Sequence, residues 1–395
     1  MREVIIRHFG PIGDGFDGYM PIYPITLFCG HQGSGKSTVA KVISTFSWME
    51  KALVRGDIVS NKKTNTPTFL KHQFEFHRIN NYFNKESELY YKGDKYDFRY
   101  ANEEFSILEK ASDSEFLMPK IMYVPAERNF LTVVEHPEIL KEIPKSLFAL
   151  FVEYDNARKS LNREFGLPIN GYSFQYDKLN NVSWLTGKDF KVRVSEAASG
   201  FQSLIPLVLV SHYMLHVIKQ VSSSSANAKQ VENINKRITQ ILADNTISED
   251  TRKMLVSQQS ALLKYSRFVN VVEEPEQNLF PSSQKDVLYD LFSAFNNAEG
   301  NQLIITTHSP YLIDYTTLAI KAKSLSENKV DEDRIQDIVP KKAWINGDKV
   351  CVYQIEDGKI SPLKKYDNMP SDDNFLNQEL SDTNEFFAQL LEMEV

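Results

Sequence analysis

Gly30-His31-Gln32-Gly33-Ser34-Gly35-Lys36-Ser37 follows the apolar run Ile25-Thr26-Leu27-Phe28-Cys29 and precedes Thr38-Val39-Ala40-Lys41-Val42-Ile43, which has helix-forming spacing. The octet fits the phosphate-loop pattern G-x-x-x-x-G-K-[ST] at every fixed position. Strand, glycine-rich turn and helix in that order set backbone N–H groups around an anion at a helix N-terminus. Lys36 then reaches the terminal phosphates of a nucleoside triphosphate, and the Ser37 hydroxyl is placed to ligate Mg²⁺. The reading predicts a nucleotide cradle of Gly30, Gln32, Gly33, Ser34, Gly35, Lys36, Ser37 and Thr38.

Three further segments follow in a fixed order. They are Ala198-Ser199-Gly200-Phe201-Gln202-Ser203, then Phe268 to Glu276 ending in Glu273-Glu274-Pro275-Glu276, then Leu303-Ile304-Ile305-Thr306-Thr307-His308-Ser309-Pro310. The second reads as an apolar strand that ends in paired carboxylates, with Glu273 holding the Mg²⁺ shell and Glu274 orienting the attacking water. The third is another buried strand that delivers His308 at its C-terminal end. Ligands of open α/β sheets bind at that edge, so His308 is placed to reach the γ-phosphate.

Phosphate loop, S-G-x-Q, E-E-P-E and T-H-S-P in this order resemble the ABC-type ATPase superfamily, in its branch of RecF-like, SMC-like and OLD-like ATPases. Glu273 to Pro281 is similar to that branch's E-E-P-E-x-x-L-x-P, and Val4 to Ile12 to its opening strand and Phe-Gly segment. The resemblance covers residues 1 to 47, 119 to 130, 190 to 220 and 266 to 315. In that family two heads sandwich two nucleotides, which implies that Ser199 and Gly200 of one head serve the nucleotide held by the other, and the resemblance counts Gln202 of the signature among the nucleotide-binding residues. Helix-terminus physics agrees, because Ser199-Gly200 opens the apolar helical stretch Leu204 to Val210. Ile121 to Pro125 looks like the strand before the family's Q-loop, but Ala126-Glu127-Arg128 stands where a metal-sensing Gln is often found. OLD-like members often carry a similar Pro-x-x-Arg, which makes Glu127 and Arg128 possible nucleotide sensors; the alternative is an ion pair near the site. Slow hydrolysis is implied.

The fold class expected is α/β: an ABC-type P-loop ATPase head with a mixed or parallel sheet, an antiparallel β lobe and a helical lobe with an inserted helical hairpin. At 395 residues the chain exceeds one compact core, so a head with inserted lobes is expected. We divide it into a head over 1–340 and a C-terminal hairpin with an acidic helical tail over 341–395. Within the head, 65–119 is a β lobe, 131–220 the helical and signature lobe, and 221–265 a helical hairpin insertion. Aromatic and polar residues alternate in Phe74-Glu75-Phe76-His77 and Tyr90 to Phe98, which predicts strands with a turn at Gly93-Asp94. A helical pattern runs from Leu140 to Phe165. Asp382-Thr383-Asn384-Glu385 reads as a capping box opening a helix whose Phe386, Phe387, Leu390 and Leu391 form an apolar stripe, expected to dock on its own head, the alternative being another protein.

Composition bounds the partners. Hydrophobic content of 42% and charged content of 25% are those of an ordinary globular protein. Cys29 and Cys351 both sit in apolar runs and read as reduced core residues, so a cytoplasmic location is expected, with no disulfide framework or zinc pattern. No signal peptide is legible, and Leu204 to Ile218 is too short to span a bilayer, so no membrane partner is expected. His212 and His216 lie four apart without the Glu of a zinc motif and read as core histidines. Residues 366–395 hold eight acidic residues and no Lys or Arg, which leaves 45 basic against 44 acidic residues before them, a body of +1. A DNA-gripping head shows a basic stripe, so DNA binding is possible but unsupported.

Soluble ABC-type ATPases of this size resemble the ATPase halves of two-gene prokaryotic phage-defence systems, such as the AriA component of PARIS. OLD-like proteins carry a TOPRIM nuclease after the ATPase, and the stretch beyond His308 is too short for one. The expectation is therefore an ATP- and Mg²⁺-dependent, self-associating ATPase, a head-to-head dimer or a higher ring. It would answer a phage-encoded trigger protein and control a separate effector, a nuclease. The alternative is a RecF/SMC-like repair ATPase that clamps DNA.

Overall fold

Alternation builds the first sheet. Along β1 (Arg2–Arg7) Val4 and Ile6 are buried and their neighbours half-exposed, the pattern of a strand covered on one face. It pairs antiparallel with β3 (Met20–Ile22) and, on its other edge, with β5 (Glu88–Lys92), which continues through β6 (Tyr96–Ala101) to β7 (Glu104–Glu109). Gly93 and Asp94 lie in the turn between β5 and β6. The computed structural model describes residues 1–111, 116–134, 143–169, 171–222, 265–328 and 330–393, with single positions 237, 241, 252 and 255. The expected helical hairpin at 221–265 lies almost wholly outside the described residues.

Continuous burial marks the second sheet. Every residue of β4 (Ile25–Cys29), β13 (Arg267–Glu273) and β14 (Gln302–Thr307) is buried, as expected for strands covered on both faces. The order is β2 (Gly15–Phe16), β16 (Lys359–Pro362), β15 (Val350–Glu356), β4, β14, β13, β8 (Pro119–Val124). From β15 to β8 all neighbours run parallel, and β15 with β16 forms an antiparallel hairpin. The C-terminal hairpin thus sits within the head's sheet, next to the strand that feeds the phosphate loop. This is the α/β fold expected, a mixed sheet with helices on both faces.

Alternate residues of the central strands serve two cores. Phe28, Val269, Val271 and Ile304 face α1 (Lys36–Arg55) and the first sheet; Leu27, Cys29, Val272 and Ile305 face the helical lobe. That lobe holds α4 (Lys145–Ser160), α5 (Ser199–Ser222), α6 (Pro281–Phe295) and α7 (Pro310–Glu327), with a small antiparallel sheet of β9 (Phe165–Gly166), β10 (Ser173–Asp177), β11 (Val182–Thr186) and β12 (Lys191–Arg193). α5 is the described helix long and apolar enough to cross a membrane, over Ser199–Lys219, and 67% of that window is buried inside the protein. It packs on α4, α6 and β13 as a core helix. His212 on α5 meets both carboxylate oxygens of Asp290 on α6 at 3.0 Å, which fastens the two helices.

Two local expectations are corrected. Phe74-Glu75-Phe76-His77 is not a strand: Pro67–Phe74 form helix α2 and Glu75–His77 a 3₁₀ turn. Thr66 caps α2 by accepting from Phe69 N at 3.2 Å, Pro67 starts it, and the buried residues Phe74 and His77 are three apart, a helical rather than a strand interval. The last helix, α9, runs Phe375–Glu392 and starts at the cap Asn374, whose side chain accepts from Asn377 N, so Asp382 is interior to it. Its stripe does not dock: Phe386, Phe387, Leu390 and Leu391 are 61%, 63%, 61% and 48% exposed. Among the described residues the remaining short α-helices are α3 (Phe130–Val133) and α8 (Glu332–Gln336).

Candidate nucleotide site

Three parallel strands end at one edge of the second sheet, with Glu273 beside Thr306 and Thr307 beside Cys29 in register. The phosphate loop, the paired carboxylates and His308 therefore emerge side by side. The loop is made possible by its glycines. A Cβ on Gly30 would stand 2.4 Å from the carbonyl oxygen of Ile355, and one on Gly35, at φ 112°, would stand 2.4 Å from Ile12 Cδ1. Gly33 also has positive φ and is open to solvent, as are His31 and Gln32. Ser34 Oγ is buried without a hydrogen-bond partner, a polar atom of the loop left free for a ligand.

Lys36 opens α1 and is 4% exposed. Its ammonium donates to the carbonyls of Gly30 and His31 at 2.7 Å and lies 3.2 Å from His308 Nδ1. Burial lowers its pKa to about 8, against the pull of Glu274. His308 Nε2 in turn lies 2.8 Å from Glu274 Oε1. An ammonium at Nδ1 and a carboxylate at Nε2 fix one tautomer: Nδ1 accepts and Nε2–H donates. The bond from His308 holds the Glu274 carboxyl below its ordinary pKa and so keeps it ionised. An ionised carboxylate accepts only, which suits it to take a hydrogen bond from water. Glu274 itself sits at φ 45°, where its N–H donates to Thr306 O, so its backbone leaves the strand while staying tied to β14.

Glu273 is 3% exposed and accepts from Tyr123 OH and from Ala126 N at 3.0 Å, with Lys41 Nζ 3.8 Å away. Burial together with the Glu273 charge raises the Tyr123 phenol well above its usual pKa, so it remains a donor. Half-buried Ser37 makes no hydrogen bond through its hydroxyl among the described residues. The donor set fits Mg²⁺, which takes a hydroxyl, one or two carboxylates and substrate phosphates rather than an all-protein cage. No cluster of three or more His, Cys, Asp or Glu that could hold a metal occurs among the described residues. Mg²⁺ bound at Ser37 and Glu273 would neutralise developing phosphate charge.

Glu276, quoted in the motif but given no role from sequence, is half-buried and holds the histidine. Its Oε1 accepts from Thr307 Oγ1 and from His308 N, each at 2.7 Å. Tyr123 and Lys41 were also missed. Only the placement of Lys41 on the helix after the loop could have pointed to it, whereas Tyr123 reads as an ordinary strand aromatic.

On the signature segment, Ser199 is exposed at the start of α5 and Gly200 is buried. A Cβ on Gly200 would stand 2.7 Å from Asn278 O, so the segment packs directly on the turn that follows the carboxylates. The Gln202 amide donates to Ser195 O at 3.0 Å and supports its own loop. Thr38 is buried in the first turn of α1, and Glu127 is exposed. Arg128 is fully buried, and its guanidinium reaches backbone carbonyls rather than a carboxylate: Ser203 O, Pro125 O, Glu273 O and Glu274 O at 2.6 to 3.2 Å. Burial lowers its pKa to about 10. The site thus gathers Lys36, Ser37, Glu273, Glu274 and His308; the signature segment carries exposed Ser199 and buried Gly200, packed on the turn after the carboxylates.

Residues 133–313 match the model of the family described as AAA ATPase domain. Over that stretch the chain is similar to an ATPase domain. The matched span takes in the signature segment, the carboxylate strand and His308 and begins after the phosphate loop. No curated protein matches the chain in sequence. Among solved structures, the SMC head domain from Thermotoga maritima is 9% identical, with 92% of this chain and 98% of that chain covered at a TM-score of 0.37. The Smc head domain with an extended coiled coil bound to the C-terminal domain of ScpA, derived from Pyrococcus furiosus, is 9% identical, covering 98% and 100% at 0.38. A nucleotide-free ATP-binding cassette from an ABC transporter is 13% identical, covering 93% of each chain at 0.27.

Proposed function

We propose that this protein is an ATP-driven switch that pairs head to head and controls a separate effector, a nuclease in prokaryotic anti-phage defence of the AriA type. The observation that carries the ATPase part is the hydrogen-bonded line Lys36, His308, Glu274 at the sheet edge, with spacings of 3.2 and 2.8 Å. Lys36 binds the terminal phosphates, Glu274 orients water, and His308 holds both in place. Ser199, exposed at the start of α5, and Gly200 beside it serve the nucleotide of a second head. The preference for a protein effector over DNA rests on the near-neutral body and on α9, whose exposed apolar stripe lies on an acidic segment.

The test is affinity purification of the Glu274→Gln protein, expressed with its neighbouring genes and treated with nuclease. Glu274→Gln is expected to bind ATP without turning it over, which favours the closed pair. Recovery of a stoichiometric second protein supports the switch. Recovery of the protein alone, with ATP-dependent retention of DNA when nuclease is left out, replaces it by a DNA clamp. Normal turnover in Glu274→Gln removes that residue from the water-orienting role.

A further inference from the structure

Arg128 joins two parts of the site that its position in the sequence does not connect. It sits in the turn after β8, yet Nη1 and Nη2 donate to the carbonyls of Glu273 and Glu274, and Nε donates to Ser203 O in the first turns of α5. Neighbouring contacts reinforce the join. Thr132 Oγ1 donates to Gln202 O at 3.1 Å, Ala126 N holds the Glu273 carboxylate, and Gly200 packs on Asn278 too closely for a Cβ. A guanidinium is planar and its donors are fixed in a fork, so donating on two sides at once fixes the distance between the groups it holds.

We propose that Arg128 is a positioning residue that makes the signature end of α5 and the Glu273-Glu274 peptide one rigid unit, so that signature engagement on a partner head's nucleotide sets Glu274 over its own. The two sites of a head pair are then coupled through each chain's Arg128. This rests on the reading of Ser199 and Gly200 as contacts made in trans. Arg128 touches neither nucleotide nor water in this scheme, and Lys36 and its loop are untouched by its loss.

Mixed pairs separate coupling from local support. Wild-type protein is mixed with about a ten-fold excess of Glu274→Gln protein, which presents bound ATP to the wild-type signature, or of Lys36→Ala protein, which presents none. In both mixtures the measured site uses the minor species' Lys36 and Glu274 and the excess species' signature. Turnover per wild-type head should be at least about ten-fold higher with the Glu274→Gln partner, and Arg128→Met in the minor species should abolish that difference, with ATP affinity within about two-fold. Equal turnover of wild type with the two partners, or a difference that persists in Arg128→Met, overturns the proposal. Arg128→Lys, which keeps the charge but not the fork, gives the same comparison if the Met variant does not fold, and Thr132→Val should show a smaller loss of the difference. Failure of the trans reading itself shows separately: Ser199→Arg would leave ATP-dependent pairing of the Glu274→Gln protein intact.

Discussion

Glu276 offers the sharpest test of how the site is held. Its carboxylate accepts from Thr307 Oγ1 and His308 N, both at 2.7 Å, and Thr307 is fully buried. Glu276→Ala leaves both partly buried donors without a partner, at about 1–3 kcal/mol each, or about 2–6 kcal/mol in total as an upper range. His308 then loses the bond that fixes its backbone, and with it the alignment toward Glu274 and Lys36. Glu276→Gln keeps a carbonyl oxygen for both donors. Burial raises the Glu276 pKa, so the ionised form is disfavoured in the folded protein, and the neutral amide removes that cost. Denaturant unfolding with phosphate-release kinetics reads both effects. Glu276→Ala should lose those 2–6 kcal/mol and at least about ten-fold in kcat. Glu276→Gln should match wild type in both, or unfold at slightly higher denaturant. A Glu276→Gln protein of unchanged stability that hydrolyses nothing would refute this reasoning, because the charge itself would then be at work.

Two pH dependences follow. In the proposed role of Lys36 its ammonium is the form that binds phosphate, and burial lowers its pKa to about 8, so ATP affinity should fall about ten-fold between pH 7 and 9. Equilibrium nucleotide titration checks this; flat affinity over that range would mean that Lys36 keeps its ordinary pKa in the loop. His77, buried against Tyr123, has its pKa lowered to about 3. From its ordinary 6.5 down to that value the unfolded chain binds a proton the folded one does not, so the fold should lose about 1.4 kcal/mol per pH unit across that window. Urea unfolding of wild type and His77→Phe at pH 4 to 7 tests it, the variant losing this part of the slope.

The fold was legible where residues carry their own geometry. Gly30 and Gly35 pass close to Ile355 and Ile12, and a sequence can show that only glycine fits such a turn. The strands before Glu274 and His308 are mostly apolar on both faces, as in Phe268-Val269, Val271-Val272 and Leu303-Ile304-Ile305, which announces burial on both sides. What stayed hidden depends on pairs far apart in the chain. Phe74 to His77 alternates like a strand, and only the cap at Thr66 and the core on one side make it helical. Arg128 reads as a sensor or a surface ion pair from its neighbours in sequence, because nothing local shows four carbonyls converging on it. The stripe on α9 has the period of a docked helix, but periodicity does not say what the stripe meets, and here it meets solvent.

The place of β15 in the sheet has a consequence for biosynthesis. The strand that feeds the phosphate loop lies between β14 and β15, and the carbonyl of Ile355 forms part of the wall against which Gly30 turns. The loop leaves the ribosome early, yet the strand that braces it is made more than three hundred residues later. Contacts of such separation close late, since loop-closure entropy must be met first. A nascent chain therefore carries its loop unbraced until residues 350–356 emerge, and nucleotide capture is reserved for a molecule whose carboxylates, histidine and signature helix have already been made.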